Sequence, residues 1–127
     1  MSNSNKTLIP IKTKKSKVKA IIDRYLVLTS EAYIFALRSG DSEIELRRRS
    51  FVEVVSKSLN SLNPLQLKFI QKEFVDYELD PYWWTSIYPK SSYYRYRNEA
   101  INTFLDRFYE NYQKIYGYVY YEPISSK

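Results

Sequence analysis

From Pro89 to Gly117 the chain carries Tyr93, Tyr96, Ala100, Ile101, Phe104, Phe108 and Tyr112 at helical steps of three and four. That spacing lays the apolar side chains along one face of a long amphipathic helix that ends near Gly117. A stripe of this length has to be buried against other helices. The remaining segments read in the same way. Two glycines and five prolines punctuate 127 residues, and Leu, Ile, Val and aromatic residues are plentiful, so the chain is expected to fold as one domain.

From about Val18, apolar residues at Ile22, Tyr25, Leu26, Tyr33 and Leu37 predict a first helix, with Gly40 as its stop. Asp41 is placed to cap a second, with Glu43 and Glu45 at its positive end and Ile44, Phe51, Val55 and Leu59 along its inner face. The run Arg47-Arg48-Arg49 reads as a solvated face partnered by Glu43 and Glu45. The sharpest local signal is Asn63-Pro64-Leu65-Gln66, which combines an N-cap, proline at the first helical position and glutamine at the capping-box position. Leu67, Ile70, Phe74 and Tyr77 follow at helical spacing. Asp80-Pro81 repeats the cap-then-proline pattern and predicts a short aromatic helix through Tyr82, Trp83, Trp84 and Ile87, with one tryptophan in the core and one at its boundary. The stretch Tyr118-Val119-Tyr120-Tyr121 has strand-like composition but no partner strand, and reads as an extended tail.

The expected architecture is therefore all-α, a compact domain of about five helices. It divides into a disordered basic tail over 1–19, a helical pair over 20–60, a unit over 61–116 and the tail over 117–127.

Charge and chemistry narrow the function classes. Without cysteine or histidine, thiolate ligands, disulfides and the commonest neutral-pH base are excluded. Asp76 and Asp80 read as helix-surface acids, and no glycine-rich phosphate loop is present, so an enzyme, a cofactor and a metal site are not expected. No apolar run reaches the roughly 20 residues that span a bilayer, and a cytoplasmic protein without a membrane partner is expected. The net charge of +6 is uneven: Lys6, Lys12, Lys14, Lys15, Lys17 and Lys19 precede any acid, and the fourteen other cations balance fourteen acids. Such a leader attracts nucleic acid, a ribosome or an anionic surface, or serves solubility alone.

Residues Leu62 to Phe108 resemble the fourth region of bacterial sigma factors. They more closely resemble the sigma-like phage late-gene regulators of the ArpU type, whose recognition helix reads Ser-Lys-Ser-Thr-Tyr-Tyr-Arg before a cation and Ala-Leu. The string here is Pro89-Lys90-Ser91-Ser92-Tyr93-Tyr94-Arg95, then Arg97, Ala100 and Ile101. Leu62-Asn63-Pro64 through Phe69, Ile70 and Phe74 resembles the preceding helix, whereas Thr85-Ser86-Ile87-Tyr88 lacks the family's turn glycine. The Trp-Trp and Ser-Tyr-Tyr-Arg pattern also resembles a small mollicute protein family. The sigma-like resemblance implies a helix-turn-helix, transcription regulation, double-stranded DNA as ligand and RNA polymerase as a further partner.

With Tyr93, Tyr96 and Ala100 facing inward, helical geometry turns Lys90, Ser91, Tyr94, Arg95 and Asn98 outward. Arg95 suits guanine and Asn98 adenine, Lys90 and Ser91 suit phosphate near the helix N-terminus, and Arg97 suits backbone phosphate from the flank. Ser92 completes this candidate set. Lys12, Lys14, Lys15, Lys17 and Lys19 would add nonspecific phosphate contacts from the tail. Two other readings remain open: a helical protein-interaction module using exposed tyrosines and the Trp-Trp segment, and a small basic protein bound to RNA or the ribosome.

Overall fold

The capping box at Asn63 forms as expected. Asn63 Oδ1 accepts from the Gln66 backbone N–H at 2.7 Å, and Gln66 Oε1 accepts from the Asn63 N–H at 3.0 Å. The computed structural model describes residues 9–36 and 42–117, and it contains no strand among them. Among the described residues five helices run in order: α1 (Ile11–Leu28), α2 (Glu31–Ala36), α3 (Ser42–Asn60), α4 (Pro64–Ile70, continued by a π-turn over Gln71–Val75) and α5 (Lys90–Tyr116). The all-α architecture is as expected. Gly117 closes α5 with φ of 78°, a left-handed conformation that glycine adopts without a Cβ penalty.

Helix α5 is the spine, packed against α1, α3 and α4. Its Ala100, Ile101, Phe104 and Phe108 meet Val18, Ile21 and Ile22 of α1, Phe51, Val54 and Val55 of α3, and Phe69, Ile70 and Phe74 of α4 in one core. Phe51 meets Phe108 edge to face at 6.0 Å, a favoured aromatic geometry. Buried Ser58 donates to the Val54 carbonyl at 2.7 Å and accepts from Asn111 Nδ2 at 3.1 Å, so the α3–α5 seam contains no unpaired hydroxyl.

Several expectations need correction. Helix begins at Ile11, so residues 11–19 are not a tail. Ile11, Lys14, Val18, Ile21, Ile22 and Tyr25 continue one helical stripe backward, and the lysines between them are good helix formers. The first helix also stops at Leu28 instead of running on towards Gly40. Thr29 and Ser30 turn their hydroxyls onto the carbonyls of Tyr25 (2.9 Å) and Val27 (2.8 Å), and Ser30 Oγ then accepts from the Tyr33 N–H at 3.2 Å. Such side-chain bonds compete with helix continuation. The expected helical pair is therefore three helices. Leu37, Gly40, Asp41 and the strand-like segment Tyr118–Tyr121 lie outside the described residues.

Leu26, Ile44, Leu67 and Tyr77 are exposed, not core. In α4 the buried face runs through Phe69, Ile70, Glu73 and Phe74, one position off the stripe expected through Leu67, and the helix closes in a π-turn with the Asp76 N–H on the Gln71 carbonyl at 2.9 Å. Residues 81–87 form successive tight turns, not the expected short helix, with Asp80 Oδ1 accepting from the Tyr82 N–H at 3.2 Å. Trp83 is buried beneath Phe69 and Trp84 stays at the boundary, the expected division. Arg47, Arg48 and Arg49 pair with Glu43 and Glu45, also as expected.

Candidate nucleic-acid interface

The start of α5 is held by a buried acid. Glu73 is only 3% exposed; its Oε1 accepts from Tyr93 Oη at 2.7 Å and its Oε2 from Trp83 Nε1 at 2.9 Å. Both carboxylate oxygens are thus engaged, as burial of a charged group requires. Burial first, then the bond to Glu73, raises the Tyr93 phenol well above its ordinary pKa. Trp84 stacks on the Tyr93 ring at 4.1 Å and 11°, covering it from outside. Its burial under Trp83 and Tyr93 sets Glu73 apart from the neighbouring acids Asp76 and Asp80, which are not buried.

The faces of α5 divide much as the helical geometry predicts. Tyr93 is buried, Tyr96 half-buried, and Lys90, Ser91, Tyr94 and Arg95 are exposed. Ser92, Arg97 and Asn98 are half-buried. Arg97 lies over the Tyr94 ring at 4.9 Å and the Tyr93 ring at 5.9 Å, and its Nε and Nη2 donate to Asn98 Oδ1 at 3.2 and 3.0 Å. It therefore braces the aromatic face instead of extending from the flank. The Asn98 carbonyl oxygen is thereby occupied.

Arg95 lies over the Tyr96 ring at 4.9 Å. Tyr96 meets Tyr88 at 5.5 Å, and Lys68 of α4 lies 6.0 Å from Tyr88 and 5.7 Å from Trp83. Sequence reasoning missed Lys68, because nothing local links it to tyrosines twenty and more residues away. No acidic residue occupies the first turn of α5. Among the described residues, Lys68, Lys90, Arg95 and Arg97 form no ion pair, whereas Lys19, Arg47, Arg48, Arg49, Lys57 and Arg107 each have a carboxylate within reach.

The α1 lysines do not act as one group. Lys14 is half-buried and donates to Asn102 Oδ1 of α5 at 2.9 Å. Lys19 pairs with Asp23 at 2.8 Å. Lys12, Lys15 and Lys19 line a cleft of about 580 Å³ together with Leu26, Phe74, Tyr77 and the acids Asp23 and Glu78. Lys17 borders a smaller recess beside Asn102 and Asp106. Asp76 and Asp80 serve local turns, Asp76 accepting from the Gln71 side chain at 3.3 Å.

Among the described residues no group of three or more acidic residues is arranged to hold a metal ion, and no helix is long and apolar enough to cross a membrane. No family model, curated protein or solved structure matches the chain.

Proposed function

We propose that this chain is a non-enzymatic DNA-binding protein that docks the first turns of α5 on a duplex, as a regulator of transcription. One observation carries the reading: cations without carboxylate partners gather at the start of α5, while all four cations on α3 are paired with carboxylates. Unneutralised, aromatic-braced cations are available to replace the counterions of a phosphate backbone. Exposed Ser91, Tyr94 and Arg95 supply groups that contact base edges, and Lys90 supplies a phosphate contact. The resemblance to sigma factors supports RNA polymerase as a second partner.

Fluorescence anisotropy against duplexes selected from random sequence tests this reading. Arg95→Ala is expected to weaken the preferred duplex by about 1–3 kcal/mol and to relax preference at one position. Equal affinity and equal preference in the variant and the parent would refute it.

A second reading, a protein-interaction surface, is favoured by one feature: Leu79, Tyr82 and Ile87 all project into solvent from the connection between α4 and α5. It predicts a partner whose binding survives Arg95→Ala and added salt but is lost in Tyr82→Ala.

A further inference from the structure

We infer that Lys68 of α4 is a phosphate contact of the same duplex surface, forming with Arg95 a two-helix clamp in which Lys68 holds the backbone and Arg95 reads a base edge. This inference rests on the DNA-binding reading and assigns it a residue that lies outside α5.

The geometry is a row of four side chains. Lys68 Nζ lies 6.0 Å from the Tyr88 ring, Tyr88 lies 5.5 Å from Tyr96, and the Arg95 guanidinium lies 4.9 Å from Tyr96. Laid end to end, those distances separate the two cations by at most about 16 Å, the axial rise of about five base pairs of duplex. The tyrosines are not loose: Phe69 contacts Tyr88 at 5.7 Å and Tyr96 at 6.0 Å from inside the core. The platform is therefore fixed by the α4–α5 packing, and cations resting on it lose less freedom on binding than free lysines would. Glu99 follows Arg95 by one helical turn, yet Arg95 takes the Tyr96 face and not that carboxylate. Lys68 likewise has no carboxylate partner among the described residues, and its side chain is exposed. A lysine contributes here as a point charge, which confers affinity without sequence preference.

The test compares the full chain with Lys68→Gln, Lys68→Arg and Arg95→Ala on the parent's preferred duplex and on a scrambled duplex, across a salt series. Lys68→Gln is expected to lower the slope of log affinity against log salt by about one, and to weaken both duplexes by the same factor. Lys68→Arg should keep the parent slope, and Arg95→Ala should also alter preference. Thermal melts establish that each variant is folded. A Lys68→Gln slope equal to the parent's, with Arg95→Ala still impaired, overturns the clamp alone. A parent with no salt-dependent duplex affinity overturns the clamp and the DNA-binding reading together.

Discussion

Tyr93 donates its phenolic hydrogen to Glu73 across 2.7 Å, joining the first turn of the longest helix to a π-turn twenty residues earlier. Trp83 completes the arrangement from the intervening connection. Because both donors and the acid are buried, this pairing determines where α5 begins its exposed course relative to α4.

Removing the acid should cost more than removing either donor. Tyr93→Phe loses one bond to a charged group, about 2 kcal/mol, whereas Glu73→Ala leaves two buried donors without an acceptor, about 4 kcal/mol. Urea unfolding followed by tryptophan fluorescence measures both.

The same pair makes the fold sensitive to alkali. The Tyr93 pKa is raised in the folded chain, so its contribution is complete below about pH 10, the ordinary tyrosine value, and declines as pH rises above it. The parent's unfolding midpoint should fall more steeply above pH 10 than that of Tyr93→Phe.

Truncation before Ala20 would not be a neutral removal of a tail. It takes away fully buried Val18 and the Lys14–Asn102 bond, and should destabilise the domain by about 2–4 kcal/mol. Replacing Lys12 and Lys15 with Gln in the full chain should leave the melting temperature within a few degrees, because both changes keep good helix formers.

The Asn63 cap is a local contribution of ordinary size. Asn63→Ala should cost about 1 kcal/mol in urea unfolding, with no change in duplex affinity.

The arginines of α3 provide an internal contrast. Arg47→Ala and Arg49→Ala break exposed pairs and should change stability by less than about 0.5 kcal/mol, leaving duplex affinity as it was. Arg48→Ala should cost more, since this guanidinium also donates to the last carbonyl of α1 at Leu28, 3.1 Å away. Its hydrogen bond to Glu45 holds that carboxyl below the usual range, so this pair's contribution fades on acidification.

Local chemistry decided much of this protein in advance. The Asn63-Pro64 capping box, the stop at Gly117, the pairing of Arg47–Arg49 with preceding glutamates, and the inward course of Tyr93, Ala100, Ile101, Phe104 and Phe108 depend only on residues within one or two helical turns. Those properties are carried by periodicity and capping, which a sequence displays directly. The inward turn of Glu73 and the union of Lys68 with Tyr88 came only with the folded chain. Helical spacing puts Glu73 on the face of Phe69 and Ile70, but a carboxylate is accepted there only because Trp83 and Tyr93, from other segments, supply two donors. The aromatic row is likewise tertiary: α4, the turns after it and α5 each contribute side chains, and only their packing makes one surface of them.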